Sequence, residues 1–135
     1  MKIVLDTNCL LQALSNNYGY YCILAALRQG RYTLCCSNDI ILEYEEVLKR
    51  FFHREIVENF LNFLLYSENV LLVTPYFKWN KITADHDDNK FVDCAFMAGA
   101  DYIVTNDKHF NILKNFDFPK IEIIDIDTYK QILTK

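Results

Sequence analysis

Glycine and proline are scarce in this chain, with three Gly and two Pro in 135 residues. Scarcity of both excludes collagen-like and low-complexity architectures and leaves regular elements joined by short loops. No apolar run approaches the roughly 20 residues that a membrane-spanning helix needs. The first such run, Ile3-Val4-Leu5, is also too short for a signal peptide. Among five cysteines (Cys9, Cys22, Cys35, Cys36 and Cys94) there is no C-x-x-C pair, and the number is odd. The three histidines, His53, His86 and His109, show no ligand spacing with them. A disulfide framework and a zinc site are therefore not expected; buried free thiols in a reducing cytoplasm are. Basic charge is also lacking, since 14 Lys and Arg face 18 Asp and Glu for a net charge of −4. This argues against a module that coats nucleic acid by charge alone. It argues less against a nuclease, where bound cations would cancel acids at the site itself.

What the chain does have is hydrophobic mass. Hydrophobic residues make up 52% and aromatics 15%, enough for a tightly filled core in one domain spanning residues 1–135. No internal repeat or linker divides it. Lys2 to Leu5 reads as a buried strand broken by Asp6-Thr7-Asn8. Helical spacing follows from about Cys9 to Arg28, interrupted near Ser15-Asn16-Asn17, with Gly30 as a stop. Tyr32 to Cys36 is a second strand. Ser37, Asn38 or Asp39 caps a helix running to about Phe52, with Ile40, Tyr44, Val47, Leu48 and Phe51 on one face. Another helix covers Glu55 to Tyr66, with Ile56, Phe60, Phe63 and Leu64 inward. Val70 to Val73 is a short strand, and Pro75 to His86 is irregular around Tyr76, Phe77 and Trp79. Asp87 or Asp88 caps a helix that stops at Gly99. Tyr102 to Thr105 is a strand, a short helix lies near His109 to Lys114, Ile121 to Ile124 is the last strand, and Thr128 to Leu133 closes the chain. Strands alternating with helices predict βαβ units and a mostly parallel sheet.

Four acids fall where such a fold would collect them. Asp6 and Asp107 follow two apolar runs, and carboxylates just past the carboxyl ends of parallel strands face the edge where ligands bind. Asp88 and Glu43 belong to helices feeding the same edge. Each has an ordinary structural reading. Asp6, Asp88 and Asp107 are capping residues by type, and Glu43 could be one more solvated acid beside Glu45 and Glu46. Together they suggest a divalent cation, the usual agent that offsets repulsion between converging carboxylates. Periodicity sets Glu46 away from the apolar face of its helix but does not separate Glu43 from Glu45.

Four segments carry a resemblance. They are Ile3-Val4-Leu5-Asp6-Thr7-Asn8; Ser37-Asn38-Asp39-Ile40-Ile41-Leu42-Glu43; Asp88-Asn89-Lys90-Phe91-Val92-Asp93-Cys94-Ala95; and Ala100-Asp101-Tyr102-Ile103-Val104-Thr105-Asn106-Asp107. In this order and spacing they resemble the strand-terminal Asp, helix Glu, helix-start Asp and Thr-x-Asp motifs of PIN-domain ribonucleases. Any one motif is weak, and the ordered set is strong. The later two segments most resemble the group of PIN proteins related to VapC-like toxins of toxin–antitoxin systems. The resemblance implies a three-layer α/β/α sandwich with a mainly parallel central sheet. It also implies Mg²⁺- or Mn²⁺-dependent endonuclease activity on RNA, a cognate antitoxin as partner, and a homodimer as a further option. The acids of the family map onto Asp6, Glu43, Asp88 and Asp107, with Asp93 as an additional ligand one turn beyond Asp88. Thr7, Asn8, Thr105 and Asn106 match polar positions that would orient acids or waters.

Hard oxygen donors favour Mg²⁺ or Mn²⁺ over zinc or copper. Asp6 and Asp107 are expected to anchor the principal ion, with Glu43 and Asp88 reaching in from helix starts. For the substrate, Lys78-Trp79-Asn80-Lys81 alternates cations with a ring that could stack on a base, or is a loop anchored by its aromatics. Lys90, Lys108 and His109 neighbour the acids in sequence and are placed to meet phosphates. Lys49, Arg50, His53 and Arg54 form a basic turn that suits a helix end. Two rival functions remain at this level: an acidic-pocket phosphoryl-handling protein, and a non-catalytic scaffold of the same fold. Asn8 stands where a D-x-D-x-T phosphatase loop needs its second Asp, which disfavours the first.

Overall fold

The computed structural model describes residues 1–15, 19–76, 78–82, 86–115 and 120–135. Phe77 and part of the interruption after Ser15 lie outside the described residues. The order of elements is β1 (Lys2–Leu5), α1 (Thr7–Leu14), α2 (Tyr21–Arg28), β2 (Thr33–Cys36), α3 (Asn38–Phe51), α4 (Arg54–Tyr66) and β3 (Val70–Leu72). A 3-10 turn at His86–Asp88 leads into α5 (Asn89–Ala98) and β4 (Tyr102–Val104). A 3-10 segment at Lys108–Asn115 then precedes β5 (Glu122–Ile124) and α6 (Ile126–Thr134).

The strands form one sheet in the order β3-β2-β1-β4-β5, and every pairing is parallel. The chain moves outward from β1 to β3, then crosses back over β1 to β4 and outward again. The helices flank this sheet: α1 packs on α2 and α3, α2 on α6, and α5 on β1, β2 and β4. Side-chain burial agrees with two covered faces. Neighbouring residues on a strand point to opposite sides, yet Ile3, Val4 and Leu5 are all 0% exposed, as are Leu34, Cys35 and Cys36. The result is an α/β/α sandwich. No helix among the described residues is long and apolar enough to cross a membrane.

Helix ends follow local chemistry. Ser37 caps α3, its Oγ accepting from the Ile40 N–H at 3.3 Å. Gly99 ends α5 at φ 65°, a left-handed conformation that suits glycine. Two predicted faces need correction. In α4 Phe60 and Leu64 are buried and Phe63 packs on the core as predicted, but Val57 takes the inward position expected of Ile56, which is 45% exposed. Phe51 is 64% exposed because it sits in the last turn of α3, beyond the stretch where Ile40, Tyr44 and Leu48 meet the core.

Tyr44 ties α3 to the central strand. It is fully buried, and its hydroxyl donates to the Leu5 carbonyl at 2.5 Å, one residue before Asp6. Tyr44→Phe leaves that carbonyl without its donor and is expected to cost about 1–2 kcal/mol. Urea unfolding checks this as a lower midpoint at unchanged slope.

Candidate functional site

The reversal of strand order between β1 and β4 opens a crevice at their carboxyl ends, the position where open α/β sheets bind ligands. Leu5 and Val104 are register partners at that edge, and the Asp6 N–H donates to the Val104 carbonyl at 3.0 Å. Asp6 therefore leaves the sheet directly beside the segment that carries Asp107.

Asp6 heads α1 but makes no side-chain cap bond, so the capping role does not account for it. Its carboxylate is 6% exposed and accepts from the Thr105 hydroxyl at 2.7 Å. Burial raises its pKa above the ordinary carboxylate value; the Thr105 hydroxyl opposes the shift, and the charges of Glu43 and Asp107 add to it. Thr105 serves two acids at once, because its Oγ1 also accepts the Asp107 N–H at 3.0 Å.

Glu43 lies in the second turn of α3 rather than at its start, and its side chain is 25% exposed. One carboxylate oxygen accepts from the Thr7 hydroxyl, and the other pairs with Lys90 Nζ at 2.7 Å. Glu45 and Glu46 instead make surface pairs with Lys49 and Arg50 on their own helix, each at 3.0 Å. The choice that periodicity left open is thus made by contact with β1's loop and α5.

Asp88 precedes α5 without a side-chain cap bond, and Asp87 beside it is exposed. Asp88, Asp107 and His109 each offer one ligand atom within 4.8 Å of the others, the group among the described residues that could hold a metal ion. Asp107 Oδ1 accepts from the His109 N–H at 2.9 Å, so this acid also organises the 3-10 turn that follows it.

The remaining predicted residues divide. Asp93 is buried but turns toward the loop before α5, accepting the Trp79 N–H at 2.9 Å; like Asp6 and Glu43, it stands outside the Asp88–Asp107–His109 group. Burial raises its pKa, with the Trp79 N–H and Lys78 opposing. Asn106 accepts from the Ile126 N–H at 3.2 Å and secures the start of α6; Asn8 is exposed. Trp79 packs edge-on against Phe96 at 5.1 Å between centroids, with Lys81 Nζ 5.9 Å from its ring, so the anchored-loop reading describes its geometry.

Two grooves flank the acids. One, of about 760 Å³, runs between α3 and the 75–80 loop and is lined by Glu43, Arg50, Lys78, Asn80, Lys90 and Asp93 among others. The other, of about 370 Å³, includes Asn106, Asp107, Lys108, Asn111 and Lys114. Arg50 was read from sequence only as part of a basic helix end and Lys114 was not singled out; their place along the grooves identifies them.

Four of the five cysteines are buried thiols. Cys9, close enough for the Asp6 charge to act on it, is 1% exposed, and burial pushes its thiol up to about 12, leaving it protonated at neutral pH. Cys35, Cys36 and Cys94 are equally buried, and Cys22 is half-buried. Alkylation of the native protein is expected to label Cys22 first, with the other four reacting at comparable rates only after unfolding; peptide mass mapping reads the order.

Comparison with known proteins adds three findings. A family model described as PIN_3, PIN domain, matches residues 2–109. β5 and α6 lie beyond that match, yet β5 completes the sheet through β4. Among solved structures, a chain of VapBC2 from Rickettsia felis bound to a DNA fragment from their promoter is 17% identical with a TM-score of 0.61, covering 93% of this chain and 98% of that one. A chain of FitAB bound to an IR36 DNA fragment is 12% identical with a TM-score of 0.58, covering 92% and 94%. A chain of FitAcB from Neisseria gonorrhoeae is 15% identical with a TM-score of 0.56, covering 92% and 97%. No curated protein matches the chain.

Proposed function

This chain belongs to the PIN-domain family, and from that membership we propose that residues 1–135 form one nuclease domain, a cytoplasmic endoribonuclease dependent on Mg²⁺ or Mn²⁺. What supports the reading is that Asp88, Asp107 and His109 come together at the crevice, with the charges of Glu43 and Asp107 acting on Asp6 beside them. Burial raises the pKa of Asp6, with a smaller upward contribution from Glu43 and Asp107, and a divalent cation offsets the cost of keeping such carboxylates ionised. An all-oxygen set of Asp and Glu suits Mg²⁺ or Mn²⁺. Asp88 and Asp107 would hold the ion most directly, with Asp6 and Glu43 completing its surroundings. When bound, the ion lowers the pKa of water and neutralises charge on the phosphate oxygens.

The protein's own groups do the positioning. Thr105 fixes Asp6 and the backbone of Asp107 relative to one another. Thr7 and Lys90 hold Glu43 from two sides. Lys78 and Lys90 on one side of the acids, and Lys108 on the other, are placed along grooves that an RNA backbone can follow. Trp79 offers its exposed edge to a base, since it is 38% accessible. Asp93 acts as a positioning group for this loop rather than as a ligand.

The likeness to VapBC2 and FitAB chains supports a toxin role with an antitoxin protein as partner. Leu42, Phe51, Leu65, Tyr66 and Tyr76, all more than half exposed, provide apolar surface for that partner or for a second copy. The test is cleavage of a structured RNA by purified protein. Cleavage with added Mg²⁺ or Mn²⁺ and none with EDTA is expected; EDTA-resistant cleavage, or none with either ion, contradicts the reading.

A further inference from the structure

We infer that His109 supplies a nitrogen donor to the metal centre and biases it toward Mn²⁺ over Mg²⁺. The inference rests on the metal-dependent reading above and adds a residue outside the acidic set. Geometry places the imidazole there. The His109 N–H donates to Asp107 Oδ1 at 2.9 Å, which holds the start of the 3-10 segment against that acid. Its Nδ1 then lies 3.4 Å from Asp107 Oδ1 and 3.7 Å from Asp88 Oδ2. Those distances are long for direct hydrogen bonds, but they are of the size expected between two ligand atoms sharing one ion, since bonds of about 2.1 Å at right angles separate neighbouring donors by about 3 Å.

The rest of the crevice points to the same corner. Glu43 already has a cation 2.7 Å away in Lys90, and Asp6 accepts from Thr105. Asp88 and Asp107 are the two carboxylates that share a ligand-sized separation with the His109 imidazole. The chemistry of the donor then decides selectivity. Mg²⁺ holds to oxygen and keeps its waters, so an imidazole contributes little to its binding. A first-row transition ion accepts imidazole nitrogen and gains from it. The imidazole is 46% exposed, so replacing it removes no core contact.

The experiment adds one equivalent of Mn²⁺ to metal-free wild type and to His109→Gln, and records electron spin-echo modulation from ¹⁴N. Calorimetric titration of each protein with Mn²⁺ and Mg²⁺ runs alongside. Imidazole ¹⁴N coupling is expected in wild type and not in His109→Gln. Mn²⁺ affinity should fall about tenfold on substitution while Mg²⁺ affinity changes less than about twofold. His109→Ala, with unchanged circular dichroism, should repeat both results. Mn²⁺ bound without ¹⁴N coupling overturns the role of His109 and leaves the metal-dependent reading standing. Coupling that persists in His109→Gln does the same, because the nitrogen donor is then another group. Failure of wild type to bind Mn²⁺ at all overturns both.

Discussion

Asp6→Asn is expected to abolish RNA cleavage while producing a metal-free protein that melts higher than wild type. The two effects have one cause. Asp6 is 6% exposed, and burial together with Glu43 and Asp107 lifts its pKa above the ordinary carboxylate value. A carboxyl whose folded pKa is raised binds its proton more tightly in the folded state. Its ionisation therefore costs stability as pH climbs from the unfolded value through the folded one, and the full cost is present at neutral pH. An amide of the same shape removes that cost and can still partner Thr105. A gain of about 1 kcal/mol, or on the order of 3 °C, is expected without metal. Activity should fall by more than about 100-fold, beyond what loss of an outer-shell partner brings. Wild type should also gain roughly 2.7 kcal/mol at a divalent concentration 100 times its dissociation constant, and Asp6→Asn much less. Thermal melts with and without Mn²⁺, beside a cleavage assay, separate these outcomes. A destabilised metal-free Asp6→Asn would mean that the carboxylate is structural.

Glu43→Gln should lower cleavage by roughly 10- to 100-fold, whereas Glu45→Gln and Glu46→Gln should stay within about twofold of wild type. All three acids sit within four residues on α3, so nonspecific charge effects are matched. What differs is the company each keeps. Glu43 is engaged by the Thr7 hydroxyl and by Lys90 from α5, while Glu45 and Glu46 pair with exposed Lys49 and Arg50 on their own helix. Equal losses in all three variants would show that the helix contributes general negative charge and no positioned group.

That contrast marks how far the residues alone could be read. Asp6 and Asp107 were legible because short apolar runs announced strands, and a parallel sheet turns strand ends into a site. The strand order itself was not legible, since no local signal states that β4 returns to the far side of β1. Glu43 could not be told from Glu45 by period, because both flank the apolar stripe; only the approach of α5 and the Asp6 loop distinguishes them. In α4 only the first position of the inward face was misplaced, since Ile56 and Val57 are both apolar and helical spacing tolerates either. Asp93 was expected as an additional ligand one turn past Asp88; that the loop carrying Trp79 donates a backbone N–H to one of its oxygens was not legible from spacing. Arg50 went unnoticed as a groove residue because a basic side chain in a last helical turn already has an explanation.

The family match and the like-folded chains establish the architecture and leave the chemistry to be measured. The central claim is that four distant acids serve one ionic centre. A crystal soaked in Mn²⁺ and measured at the manganese edge tests it most directly. The account expects an anomalous peak in the crevice, coordinated by Asp88 and Asp107 with Asp6 and Glu43 directed at it. A well-ordered crevice without a peak at millimolar Mn²⁺, or a peak held by other residues, would contradict it.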